Sequence, residues 1–403
     1  EIGRYAFYYC TSLNEVSIPE SVEFIGRFAF LGTQNLNVYF VSETLPAYLQ
    51  EDWDYGTAGY YLGVTDVITD GGDIAIIQYN GTETSIDLTA LDFGGDIFNI
   101  GGKAFAYSTV ENIVLPETLV TIQNEAFYHS ALKSVSIPAS VDFIGRSAFA
   151  DTPIETLTFA SNAKLRVMEQ SAFEGTKSLG SVTLPKSLTT IGRAIFKNSG
   201  ITSLTFEDGI GINEISEEAF AYTNITTVTI PDSVTLLNHS AFRETKQLKS
   251  VNFGNSEGIM IMSNVFYHSG LESVHIPTNV TYVGEYAFVA LTNLQSFTVD
   301  ADHPQYRAID GLLVTKDGRK LIAAPAGREG TLTVPAGIEV IGFGAFEESK
   351  LTKINFLADA NILSFGYRAF YGSAITEMHV PASVVAIDYY AFATCENLTK
   401  VTF

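Results

Sequence analysis

From Phe127 to Phe149 apolar side chains stand at Leu132, Val135, Ile137, Val141, Phe143 and Ile144, with Pro138 and Gly145 as punctuation, before Ala148-Phe149 starts the pattern again. Alternation through Val135 and Ile137 is the period of a strand with one buried face. The same phenylalanine recurs at Phe7, Phe30, Phe105, Phe127, Phe149, Phe173, Phe196, Phe220, Phe242, Phe266, Phe288, Phe346, Phe370 and Phe392, mostly at intervals of 22 to 24 residues. Such a period predicts one short strand per turn, one return segment, and turns that bury their apolar edges on one another.

Stacking is obligatory. The six apolar side chains of a repeat contribute about 1.5 to 3 kcal/mol each when fully buried, whereas ordering each of its residues costs about 1 to 2 kcal/mol. A single repeat therefore cannot fold, and neighbours must close a shared core and a parallel hydrogen-bond ladder. The Leu-x-x-Val-x-Ile spacing predicts a repeat solenoid of leucine-rich-repeat type. The expected form is a right-handed superhelix with a parallel β-sheet on its concave face, short helical or 3₁₀ return segments, and inserted β-hairpins.

Three stretches are expected. Residues 1–40 hold a short repeat tract, residues 41–104 an irregular break, and residues 105–403 a long tract with an insertion at about 300–330. Within the break, Ile74 to Tyr79 and Thr82 to Leu88 flank Asn80-Gly81, a sequence suited to the positive φ angles of a type I′ hairpin turn. Ala308 to Thr315 and Arg319 to Ala323 flank Asp317-Gly318 in the same way. In the long tract, strands ending in proline (Ile137-Pro138, Leu184-Pro185, Ile230-Pro231) alternate with strands ending in Phe159, Phe206 or Phe253, which points to a duplicated two-repeat unit. Gly26, Gly145, Gly192, Gly284 and Gly342 share one repeat position, where a positive φ or a close approach is expected.

Charge narrows the partners. A formal net charge of -22 argues against nucleic acid and anionic membrane, which both need a basic face. Cys10 and Cys395 occupy one repeat position, three residues after the phenylalanine, filled elsewhere by Ser or Thr. Lying in the first and last repeats they are too distant to bridge and read as small buried thiols. The chain starts inside a repeat and ends on a strand, and reads as a fragment of something longer.

The motif Ile-Pro-x-Ser-Val-x-x-Ile-Gly-x-x-Ala-Phe-x-x-Cys/Ser/Thr, standing at Ile18 to Thr33, Ile137 to Thr152 and Leu184 to Ser199, resembles the BspA-like leucine-rich-repeat family. The stretch from Ile309-Asp310-Gly311 through Lys316-Asp317-Gly318 to Ala324-Pro325 resembles an insertion common in that family. The resemblance implies a non-catalytic secreted or cell-surface protein adhering to host extracellular proteins or glycans, or to other microbial surface components. It brings no catalytic residues, metal or cofactor. The alternative expectation is a carbohydrate-binding or spacer module of a cell-envelope glycan system.

Candidate binding residues fall in three places. The aromatic, acidic segment of the break carries Trp53, Tyr55 and Tyr60, whose rings suit stacking on sugars. Arg307, Lys316, Arg319 and Lys320 make the hairpin insertion basic on an acidic chain, a match for an acidic partner. The strand face is a ladder of small hydroxyls such as Thr156/Thr158, Ser181/Thr183, Ser203/Thr205 and Thr227/Thr229, into which His275, Lys353 and His379 introduce ionisable groups. Asp300, Asp302 and His303 lack a metal-ligand spacing, and no Ser/His/Asp or Cys/His constellation follows from the sequence.

Overall fold

The computed structural model describes residues 1–13, 15–19, 21–33, 36–40, 48–49, 59–61, 67–69, 75–79, 81–91 and 96–403. The chain is a solenoid of stacked coils that fall into two compact units, residues 1–154 with 160–165 and residues 155–159 with 166–403.

In the first unit Glu15–Ile18, Asn37–Phe40 and Gly59–Tyr61 pair in parallel, Glu15 opposite Asn37 and Asn37 opposite Gly59. Ser85–Asp87, Asn112–Val114 and Ser134–Ile137 form the same kind of ladder. A second set of strands, mostly shorter, pairs in parallel through Asn99–Ile100, Thr121–Ile122 and Phe143–Ile144. The second unit repeats the scheme, with Ser181–Leu184 on Ser203–Phe206 and Ser273–Ile276 on Ser296–Val299 as main ladders. Its short strands include Glu214–Ile215 on Leu236–Leu237.

Alternation places Val135 and Ile137 in the core and Ser136 outside. The repeat phenylalanines stack face to face, with ring centres 5.0 Å apart for Phe105–Phe127 and Phe127–Phe149, and 5.5 Å for Phe220–Phe242 and Phe266–Phe288. Each such contact adds about 0.5–1.5 kcal/mol beyond the burial of its area. The alternation of strand endings has a packing reason in the second unit. Phe206 and Phe253 meet the rings of Phe220 and Phe266 edge to face at 6.4 and 6.2 Å, filling the space at the ends of strands that lack proline.

The return segments are not helical, and no helix occurs among the described residues. Around Phe127, Ala126, Tyr128 and Ser130 donate to carbonyls three residues back within their own coil, whereas Glu125, Phe127 and His129 donate to Arg146, Ala148 and Ala150 of the next. Only alternate N–H groups thus close turns, and the others form a second set of links between coils. A 3₁₀ helix is prevented by left-handed backbone at Glu125 (φ 58°) and His129 (φ 53°), two residues on either side of Phe127. The same pair flanks the other repeat phenylalanines, as at Tyr5 and Tyr9, Glu218 and Tyr222, Asn264 and His268, or Arg368 and Gly372.

The shared glycine has negative φ, so close approach alone accounts for it. An added Cβ would lie 2.6 Å from the Asn124 nitrogen at Gly145 and 2.4 Å from the Gln170 nitrogen at Gly192. The expected hairpin across Asn80-Gly81 does not form. Ala75–Tyr79 pairs antiparallel with the preceding Val67–Thr69 and parallel with Asn99–Ile100, while Ser85–Asp87 belongs to the main ladder. The reason is burial: Ile76, Ile86 and Leu88 enter the core, and Tyr79 stacks on Phe105 at 5.3 Å, taking the place of a repeat phenylalanine.

The second hairpin does form across Asp317-Gly318, and a further turn at Asp310-Gly311 extends it. Tyr306–Ile309, Leu312–Thr315 and Lys320–Ala323 make an antiparallel meander whose last strand continues in parallel onto Val340–Ile341. Both cysteines are free. Cys10 is exposed rather than buried, while Cys395 is half-buried with its thiol 3.0 Å from the Phe370 carbonyl. At the same position Thr152, Thr176, Thr223 and Thr245 are buried and donate to the carbonyl of the phenylalanine three residues back, at 2.7–2.9 Å. Ser130, Ser199 and Ser269 leave their buried hydroxyls without a partner there.

Candidate functional site

The residues singled out from sequence lie apart from one another. Trp53 and Tyr55 lie outside the described residues. Tyr60 sits in the strand Gly59–Tyr61, opposite Val38. On the meander most of the cations are engaged: Arg319 with Glu339 at 2.6 Å, Lys316 with the Ala301 carbonyl at 3.2 Å, and Lys320 5.8 Å from the Phe343 ring centre. Arg307 lays its guanidinium over Gly318, where a Cβ would strike it.

The strand-face candidates are paired along the stack. His275 contacts Thr298 at 3.0 Å and Asp300 at 3.2 Å, Lys353 binds Glu377 at 2.6 Å, and His379 contacts Thr402 at 3.0 Å. His303 is fully buried; its Nδ1 accepts from the Gln305 and Tyr306 amides and its Nε2 donates to the Val280 carbonyl. Burial lowers its pKa and keeps it neutral, a structural role.

Chemically varied side chains gather instead at the left-handed positions of the return segments. At many of these sites the side chain projects outward, although Ser171, Ala194 and Ala290 are buried. Tyr9 is 63% exposed and Tyr107 71%, and Tyr5, Tyr222 and Tyr390 are exposed too. In the first unit Tyr107 stacks on His129 with ring centres 5.5 Å apart.

In the second unit this edge builds a connected cluster. Glu347 is buried, gripped by Arg368 through Nε at 3.0 Å and Nη2 at 2.5 Å, and accepts the Tyr267 hydroxyl at 3.0 Å. Beside it, His268 directs Nε2 at Glu348 and Nδ1 at Glu244, each at 3.0 Å. Two carboxylate partners call for both ring nitrogens to carry protons. The hydrogen bond to Glu348 raises the pKa of His268 against the effect of burial, and Glu244 adds to the rise. Glu348 is lowered in turn, chiefly by the hydrogen bond from His268.

Burial foremost, and then the Glu347 charge, pushes the Tyr267 and Tyr286 phenols above their ordinary range, so both stay neutral. Arg368 covers the Tyr371 ring at 3.6 Å and Arg243 the Tyr267 ring at 5.1 Å. Arg243, Asn264, Tyr267, Tyr286, Glu347, Tyr367 and Arg368 line a shallow cleft of about 240 Å³. Its chemistry is hydrogen bonding, ion pairing and stacking.

Sequence reading missed this cluster. His129 and His268 share a repeat position, which reads as structural, and their partners are far away in the chain. Tyr267 and His268 reach residues 80 positions on because the coil between them and Glu347 offers only Val289 and Ala290 at the two matching positions.

Coils closed by two parallel ladders around a phenylalanine stack define a leucine-rich-repeat solenoid. The BspA type leucine rich repeat region matches residues 1–50, 98–212, 213–307 and 330–403 in six copies, and the chain belongs to that family. No curated protein matches it. Among solved structures it is similar to a leucine rich cell surface protein from Faecalibacterium prausnitzii, with 21% identity over 85% of this chain and 94% of that one, at a TM-score of 0.49. The pneumococcal vaccine antigen PcpA shares 19% identity over 85% and 81% of the two chains, at 0.41. A leucine-rich repeat protein from Bacteroides ovatus shares 19% over 99% and 82%, at 0.38.

Proposed function

We propose that this chain is a non-catalytic recognition scaffold, extracellular or at the cell surface, that adheres to a host or microbial macromolecule through the outward-facing edge of its return segments. The observation that carries this reading is the set of exposed tyrosines at left-handed backbone positions, Tyr9, Tyr107 and Tyr222 among them. Tyrosine and arginine dominate the energetics of protein interfaces, while serine and threonine contribute little. The strand face offers mostly the latter, and its His275, Lys353 and His379 are paired within the fold.

Biolayer interferometry of the purified chain against immobilised matrix glycoproteins and mucin, intact and stripped of glycans, tests the reading. Tyr107→Ser and Tyr222→Ser should each weaken saturable binding, with Thr205→Ala on the strand face leaving it unchanged. Binding that responds to Thr205→Ala and ignores both tyrosine variants would return recognition to the strand face. Binding that survives deglycosylation favours a protein partner, and its loss favours the glycan.

A further inference from the structure

The cleft in the second unit contains two guanidinium groups in unlike states. Arg368 is neutralised by its two bonds to the buried Glu347. The Arg243 side chain forms no hydrogen bond or ion pair among the described residues; it rests on the Tyr267 ring, and its buried Nε has no partner. Arg243 thus has no carboxylate partner, although acidic side chains outnumber basic ones nearly two to one. The unpaired buried Nε costs its desolvation, while the terminal N–H groups of the guanidinium are not buried in this way and have no protein acceptor among the described residues either.

The local charges agree. Glu347 is spent on Arg368 and Tyr267, Glu348 on His268, and Glu244 on His268 and Lys246, so none of these carboxylates is a partner of Arg243. Around it stand a side-chain amide, Asn264, and two half-buried rings, Tyr286 and Tyr367, set edge to face with centres 6.4 Å apart. Both the Tyr267 and Tyr286 hydroxyls are already used, on Glu347 and on the Tyr367 carbonyl. What remains open is one planar cation, one amide and aromatic carbon. The volume, about 240 Å³, falls below the roughly 300–1,000 Å³ of pockets for drug-sized ligands and suits a single ring.

We infer that this cleft binds one acidic sugar residue, its carboxylate on the Arg243 guanidinium, its hydroxyls on Asn264 and its ring carbons against Tyr286 and Tyr367. The inference rests on the reading of the return-segment edge as the recognition surface and names a ligand class for it. A guanidinium fork matches a carboxylate in two parallel hydrogen bonds, and a lysine cannot reproduce that geometry.

Isothermal titration calorimetry of the full chain with glucuronic acid, glucose and acetate, for wild type, Arg243→Gln and Arg243→Lys, tests it, with the thermal midpoint of each variant recorded. Glucuronic acid should bind saturably, with glucose and acetate each weaker by about tenfold or more. Arg243→Gln should abolish the difference between glucuronic acid and glucose, and Arg243→Lys should weaken glucuronic acid binding, with thermal midpoints near that of wild type.

Equal binding of acetate would overturn the sugar assignment, and equal binding of glucose the role of Arg243. An acidic peptide bound in an Arg243-dependent way, with glucuronic acid inert, would replace the sugar by a protein ligand. Absence of glucuronic acid binding, alongside glycoprotein binding that still depends on Tyr107 and Tyr222, would remove this cleft from the recognition surface and leave the surface itself standing.

Discussion

The hydroxyl of Tyr267 donates to the buried carboxylate of Glu347 at 3.0 Å, across 80 residues of chain. Arg368 closes the same carboxylate from the other side. Together these three bonds tie the coil of Phe266 to the coils of Phe346 and Phe370 past an intervening turn of small side chains.

Glu347→Ala should therefore destabilise strongly. It strands Arg368 in a half-buried site and the Tyr267 hydroxyl with it, a class of change that costs about 3–5 kcal/mol. Urea denaturation followed by tyrosine fluorescence should show a lowered midpoint. Glu347→Gln, which keeps an acceptor for Tyr267, should fall between wild type and the alanine variant.

His268 gives the second unit a defined pH profile. Its folded pKa lies above 6.5, so its contribution is complete below 6.5 and is lost as pH rises through the folded value. Glu348 lies below 4.5 when folded, so its contribution is complete above 4.5 and is lost as pH falls through the folded value. The pair should stabilise most between pH 4.5 and 6.5. Thermal midpoints measured across that range and up to pH 9 should decline on the alkaline side. In His268→Gln the alkaline decline should be reduced, and an undiminished slope would assign it to another group.

Ser199→Thr should stabilise. Threonine at the equivalent buried positions bonds the phenylalanine carbonyl three residues back, and Ser199 leaves its hydroxyl unpaired. Making the bond is worth about 0.5–1.5 kcal/mol, readable as an upward shift in denaturation midpoint. A downward shift would mean that the added methyl overfills the site.

Gly192→Ala and Gly180→Ala form a contrasting pair. The first puts a Cβ 2.4 Å from backbone of the preceding coil, and the second meets nothing within 4 Å. Forcing the coils apart at Gly192 should cost about 1–3 kcal/mol, while Gly180→Ala should stay within about 0.5 kcal/mol of wild type. Calorimetric midpoints of the two variants give the comparison directly.

The coil architecture was legible because it is dictated by the position of phenylalanine and by alternation, which recur through most of the chain, with Tyr79 standing for the phenylalanine in one coil. The meander was legible at Asp317-Gly318, where one dipeptide specifies the turn. Asn80-Gly81 carried an equally good local signal and failed, because burial of Ile76, Ile86 and Leu88 in successive ladders outweighs a turn preference. The helical return segments failed for a different reason. Left-handed backbone recurs at Glu125, His129 and their equivalents, and residues as unlike as Tyr, Lys, Ser and Glu accept it, so no residue type announces it. The cluster around Glu347 was hidden because its members meet across a skipped coil, a contact that no single repeat encodes.

The alternating hydrogen bonds of the return segments carry a consequence for variation. Main-chain groups close those corners, so outside the cluster around Glu347 and His268 the exposed side chains that stand on them are released from duty to the core. Evolution can rewrite them freely, as type is changed in a fixed frame. Two chains with superimposable interiors can then read entirely different surfaces, and their divergence should concentrate at the two positions flanking each phenylalanine.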